Sequence, residues 1–102
     1  MKLSEKVRID KSRIDGNGCF SNIVIRAGEF IGTFEGYTPK RESKFVLYCV
    51  NGSCRRGTNK LRCLNHDDFP NATFNGYRLY AIEDIYPDDE ITIDYGPMWN
   101  VD

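Results

Sequence analysis

The segment Leu61-Arg62-Cys63-Leu64-Asn65-His66-Asp67-Asp68-Phe69-Pro70-Asn71 constrains this chain most, because it sets polar side chains against apolar ones with neither helical nor strand periodicity. Pro70 pushes the residue before it out of the helical region, and Asn and Asp turn the chain by bonding their own backbone. The stretch therefore predicts a buried, functional loop and argues against a helix. Asn65 and His66 beside apolar neighbours, closed by Pro70 and Asn71, offer directional hydrogen-bonding groups in a rigid frame, which suits a polar ligand such as a nucleoside. Standing alone, the same residues fit a capped turn with a satisfied histidine better than a ligand site.

With 102 residues the sequence reads as one domain, 1–102, close to the size at which burial only just offsets chain entropy. Nine glycines, six tyrosines and six phenylalanines lean toward strands and turns, so an all-β fold is expected. A formal charge of −1 argues against nucleic acid as a partner, since such binders gather a basic excess on one face. Met1–Lys6 lacks the apolar core of a signal peptide, and no run approaches the roughly 20 apolar residues of a membrane span. A soluble intracellular protein, cytoplasmic or nuclear, is expected. Cys19, Cys49, Cys54 and Cys63 are irregularly spaced without a Cys-x-x-Cys pair, which predicts free thiols and no metal site.

In chain order, Val7–Ile9 predicts a short strand and Ile14-Asp15-Gly16-Asn17-Gly18 a turn whose glycines reach positive φ and expose backbone amides to a ligand. Ile23–Ile25 and Phe30–Gly36 read as two strands joined by a glycine turn at Gly28, with Phe30, Gly32 and Phe34 on one face. The polar 37–44 segment with Pro39 reads as a surface loop. Phe45–Val50 predicts a strand ending in an Asn51-Gly52 hairpin turn. Arg55, Arg56 and Lys60 then read as a solvated edge, or as a surface that recognises an acidic partner or a cofactor carboxylate. A second hairpin is expected at Asn75-Gly76, with Tyr77, Leu79 and Ala81 on one face and Arg78, Tyr80 and Ile82 on the other. Glu83–Glu90 is an acidic turn that either confers solubility or attracts a basic segment. No internal repeat is expected.

Three segments in order, Asp15-Gly16-Asn17-Gly18-Cys19-Phe20-Ser21, Asn65-His66-Asp67-Asp68-Phe69-Pro70-Asn71 and Asp89-Glu90-Ile91-Thr92-Ile93-Asp94-Tyr95-Gly96, resemble the SET-domain family of protein lysine methyltransferases. The resemblance covers nearly the whole chain. It departs from the family at Asp67, where Ser is usual, and at Asn17, where an aromatic or long residue is common inside the Gly-x-Gly turn. No Cys-rich zinc segment follows Gly96, and the region between the two halves is too short for a helical insert.

What the resemblance implies is a mostly β, SET-domain (β-clip) fold of short strands and hairpins with a C-terminal pseudo-knot, in which the segment ending at Tyr95 is threaded beside Asn65 and His66. It implies S-adenosylmethionine as cofactor, with Asn65 and His66 on its adenosine and Gly16, Asn17 and Gly18 along its other end, near Tyr95 and Trp99. Asn71 and Asp67 would brace the loop. It further implies Tyr95 as the catalytic group and Tyr48, Tyr95 and Trp99 as walls of the channel for a lysine of a protein or peptide substrate, such as a histone. A homodimer is expected if aromatic surface near Trp99 is left uncovered. Two rival readings stand beside the enzyme: a SET-like binding module without turnover, and an unrelated small β protein whose motifs are only turns.

Overall fold

The computed structural model describes residues 1–38, 46–48, 54–96 and 99–100; of 46–48, 54 and 99–100 it describes the backbone alone. The chain begins with a single helical turn, α1 (Leu3–Lys6), followed by the hairpin β1 (Val7–Lys11) and β2 (Asn17–Ser21). Then come β3 (Phe30–Thr33), β4 (Gly36–Tyr37), β5 (Val46–Tyr48), β6 (Cys54–Gly57) and the 3-10 turn η1 (Lys60–Cys63). The remainder holds β7 (Asn65–His66), the hairpin β8 (Ala72–Asn75) and β9 (Arg78–Ala81), β10 (Glu90–Ile93) and β11 (Trp99–Asn100). The all-β expectation holds. Against the expectation of no helix in the 61–71 stretch, its first three residues belong to η1.

Among the described residues three small sheets form, ordered β1-β2-β10-β7, β11-β5-β6-β4 and β3-β9-β8. Strands β5 and β6 pair antiparallel with Tyr48 opposite Cys54, and the expected Asn51-Gly52 turn between them lies outside the described residues. In the second hairpin Asn75 pairs with Arg78, so the two-residue turn is Gly76-Tyr77 and sits one position later than expected. Leu79 and Ala81 are buried while Arg78 and Ile82 are exposed, as the alternation predicts. Ile23–Ile25 is not a strand; it contributes one bridge, from Ile25 to Ile85. The expected single face for Phe30, Gly32 and Phe34 is broken by a bulge between Phe30 and Gly32. The extra residue turns Ile31 into the core at 1 % exposure and leaves Phe30 41 % exposed.

A repeat not expected from the sequence organises the core. The 21–33 segment and the 81–93 segment follow the same path, and they bond each other reciprocally. Ser21 N–H donates to Asp89 O at 3.0 Å and Ala81 N–H to Glu29 O at 3.0 Å. Asp88 N–H donates to Ser21 O and Gly28 N–H to Ala81 O, both at 2.7 Å, while Ile25 and Ile85 exchange both of their bonds. Each copy adds a strand to the other's hairpin, β10 beside β2 and β3 beside β9. The equivalent pairs Ile25 with Ile85, Ile31 with Ile91, and Cys19 with Leu79 are all buried in one cluster, to which Phe34, Leu61 and Leu64 also belong. The apolar side chains removed from water there supply the main stabilisation.

Candidate active site

The two copies of the repeat differ at the outer edge of their third strand, and the three motifs meet at the edge of β10. Strand β7 lies parallel to β10, with Asn65 beside Thr92 and His66 beside Ile93. Asp67 N–H continues the ladder to Ile93 O at 3.0 Å. Asn71 closes the loop on the same strand: its Oδ1 accepts Thr92 N–H at 2.9 Å and its Nδ2 donates to Glu90 O at 2.8 Å. An Asn side chain can replace a peptide group in this way because it carries one amide donor side and one acceptor side in a plane. The 64–71 loop thus wraps the strand that leads to Tyr95.

Asn65, buried at 6 % exposure, ties the glycine turn to this crossing. Its Nδ2 lies 3.0 Å from Asp15 O, 3.1 Å from Asn17 O and 3.0 Å from Glu90 Oε2. The Asn65 side-chain amide nitrogen is therefore committed to shaping the turn, which leaves Oδ1 and the main chain for other partners. Gly16 has φ +43, as the turn requires, and a Cβ added there would meet nothing within 4 Å. At Gly18 the constraint is different: an added Cβ would collide with the Glu90 carboxylate and stand 3.1 Å from Asn65 Nδ2.

Two residues of this arrangement were not singled out from the sequence. Glu90 accepts the Ser12 hydroxyl at 2.7 and 2.9 Å besides the Asn65 amide, and Ser12 Oγ accepts Ile14 N–H at 2.9 Å. Ser12 N–H also donates to Gly16 O at 2.8 Å. The only sequence signal for Glu90 is its place at the head of the last motif; nothing local marks Ser12.

His66 Nδ1 accepts Tyr95 N–H at 3.0 Å, so that nitrogen carries no proton. The neutral ring then holds its proton on Nε2, 2.8 Å from Asp68 Oδ1. The imidazole fixes the exit of the last strand, and its ring lies 5.3 Å from that of Tyr95, centroid to centroid. The Tyr95 hydroxyl donates to Leu64 O at 2.8 Å. Burial, and then the negative charge of Asp15, raises its pKa above the usual phenol value, so Tyr95 stays protonated. Asp67 pairs with no Arg among the described residues; its Oδ1 accepts Phe69 N–H at 2.9 Å and holds the turn. The loop is buried at Leu61, Leu64 and Asn65, but its tip is not, with Phe69 89 % exposed.

The side chains of Tyr48 and Trp99 lie outside the described residues, although β11 pairs with β5, placing Trp99 opposite Leu47. The expected dimer surface near Trp99 lies outside them as well. Cys19 and Cys63 are free thiols. Arg55 is not a solvated edge: its guanidinium stacks 3.8 Å from the Tyr77 ring centroid and donates to Phe34 O at 2.9 Å. Within the acidic turn, Asp84 and Asp88 already pair with Arg26 and Arg8.

The described groups around the crossing are carbonyls, the carboxylates of Asp15, Glu90 and Asp94, a phenol and a neutral imidazole. Such an acceptor-rich, negatively biased set suits a cationic ligand bearing amines.

Residues 16–96 match the model of the SET domain. The chain therefore belongs to the SET-domain family, whose members are typically protein-lysine methyltransferases and generally use S-adenosylmethionine. Among solved structures it is similar to a Plasmodium falciparum protein provisionally named a histone methyltransferase, with 25% identity over 93% of this chain and 96% of that one and a TM-score of 0.72. No curated protein matches it in sequence.

Proposed function

We propose that this chain is an S-adenosylmethionine-dependent protein-lysine N-methyltransferase. The observation that carries the reading is the meeting of the glycine turn, Asn65-His66 and a protonated Tyr95 at the crossing of β7 and β10. S-adenosylmethionine, when bound, supplies a methyl group on a sulfonium for in-line displacement by an amine. The residues that would hold it are the main chain of Gly16, Asn17 and Gly18, Asn65 through Oδ1 and its backbone, and the backbone of His66, with Asp15 supplying negative charge.

The chain's own task is to position a lysine and to favour its neutral form. A free lysine with pKa of about 10.4 is neutral in only about one molecule in a thousand near pH 7.4, a deficit of roughly 4 kcal/mol. Partial burial beside Tyr95 and Leu64 lowers that deficit by desolvating the ammonium. With its proton donated to Leu64 O, the Tyr95 hydroxyl acts toward an amine only as an acceptor. It would take an amine N–H and so fix where the nitrogen lone pair points, which is a positional contribution. Because Tyr95 stays protonated, the rise of rate with pH should follow the lysine.

Tyr95→Phe keeps the ring and removes the acceptor. In single-turnover transfer from labelled cofactor to a panel of histone and other basic peptides, the variant should be slower by about 100-fold, with calorimetric cofactor affinity nearly unchanged. Equal rates would reduce Tyr95 to a structural tyrosine. Cofactor binding without transfer in the parent protein would favour the binding module, and no binding by either form would remove the pocket.

A further inference from the structure

On another part of the surface lies a groove of about 620 Å³, within the roughly 300–1,000 Å³ range of ligand sites. Its walls are α1, β3 and η1, and neither Asn65 nor Tyr95 lines it. Four cations, Lys2, Lys6, Lys60 and Arg62, face one acid, Glu35, across a floor that includes Leu3, Phe30 and Ile31.

None of these cations forms an ion pair among the described residues. Lys6 Nζ donates to Phe30 O and Ile31 O at 3.2 and 3.3 Å, and Lys60 Nζ to Val7 O and Ser4 O at 3.0 and 3.4 Å. Arg62 donates to Asn59 O at 2.9 Å. All these acceptors are neutral carbonyls, and Lys6 Nζ also lies 5.5 Å from the Phe30 ring centroid, so the charges of Lys6, Lys60 and Arg62 are held in place with no carboxylate paired to them among the described residues. An ammonium has three donors and a guanidinium five; each head thus keeps at least one donor for another partner.

We infer that this groove docks an acidic peptide segment, one with an apolar residue between its carboxylates. The carboxylates match the fixed cations, and the apolar residue covers Phe30, which is 41 % exposed and forms an edge-to-face contact with Tyr80 at 5.7 Å. Strand addition is not the binding mode. Strand β3 is the outer strand of its sheet, but Lys6 and α1 already occupy its edge. A nucleic acid fits less well, because the floor between the cations is apolar at Leu3, Phe30 and Ile31 and the chain as a whole carries a charge of −1. Lys60 lines this groove with Lys2, Lys6 and Arg62 rather than with Arg55 and Arg56. This surface does not depend on methyl transfer.

The test uses the whole chain and a fluorescein-labelled peptide, Gly-Glu-Asp-Leu-Glu-Phe-Asp-Glu, followed by anisotropy in low salt. Saturable binding is expected, weakening at least 10-fold when the acids are replaced by their amides, and again in the charge-reversed double variant Lys2→Glu with Arg62→Glu. Lys2→Gln, which touches only an exposed side chain, should weaken binding by about 3-fold and guards against a folding defect in the double variant. Amide shifts on peptide addition should centre on Phe30, Ile31 and Thr33. Equal affinity for the acid and amide peptides, no effect of either variant, or tighter binding of a thymidine oligonucleotide would overturn the proposal.

Discussion

The two copies of the internal repeat share a backbone and differ in what they do with the outer edge of their third strand. Aligned through their hairpins, Val7 with Ala72, the copies place Lys6 where the other has Asn71. The match is supported by Asn22 N–H donating to Lys6 O at 2.7 Å and Ile82 N–H to Asn71 O at 2.9 Å. Both side chains reach the edge: Lys6 donates to Phe30 O and Ile31 O, while Asn71 donates to Glu90 O and accepts from Thr92 N–H. An ammonium only donates, so it caps an edge. A carboxamide donates and accepts, so it continues the ladder, and β7 docks on the next residues of the same strand. One exchange of side-chain chemistry thus separates a closed edge from an edge that carries the candidate site.

The largest expected effect comes from breaking that contrast. Asn71→Ala leaves Thr92 N–H, on a residue 5 % exposed, and Glu90 O without their partners, and should cost about 2–4 kcal/mol in denaturant unfolding. Lys6→Ala exposes its carbonyls to water and should cost about 0.5–1 kcal/mol. Equal losses would mean that the two edges are not built differently.

Next in size is Gly18 against its counterpart Arg78. Gly18→Ala drives a Cβ into the Glu90 and Asn65 groups that hold the glycine turn, and should cost about 1–3 kcal/mol along with cofactor affinity. Arg78→Ala, on an exposed position, should stay within about 0.5 kcal/mol. Calorimetry and unfolding on both variants check this.

The turn between bridge and strand offers a finer comparison. Gly28 has φ +84 and its counterpart Asp88 φ +72, a conformation costing a side chain roughly 1–2 kcal/mol. Gly28→Ala should therefore destabilise by about 1 kcal/mol. Asp88→Gly should stabilise by about 0.5 kcal/mol, since losing the exposed Arg8 pair at 2.9 Å offsets part of the gain. Thermal unfolding of the two variants should move in opposite directions.

The smallest effect concerns acid. The Ala27 N–H and then Arg26 hold the Asp84 carboxyl below the usual carboxylate range. Its contribution is present above the unfolded value of about 3.9 and is lost as pH falls through the lower folded value. The reciprocal contact cannot form, because the residue equivalent to Ala27 is Pro87, which has no N–H. Asp84→Asn should make the acid limb of stability slightly shallower, and an unchanged limb would show that the contact contributes nothing.

Local signals in the sequence determined the strand content, the hairpin around Gly76, the positive φ at Gly16 and the three motifs that mark the SET domain, because turn chemistry and alternation act over a few residues. The family resemblance, not these local signals, marked Asn71 as a brace. The repeat was not legible: between 21–33 and 81–93 only Ile25 with Ile85 and Ile31 with Ile91 are identical, and a backbone path held by main-chain bonds leaves almost no mark on side-chain identity. The bulge after Phe30 was equally silent, since it depends on pairing with β9. Tertiary structure alone decided that Asn65 shapes the glycine turn, that Ser12 and Glu90 support it, and that His66 holds the Tyr95 backbone. Each of those hydrogen bonds needs a partner distant in the chain, and which acceptor a buried amide or imidazole finds is settled only when the strands have packed.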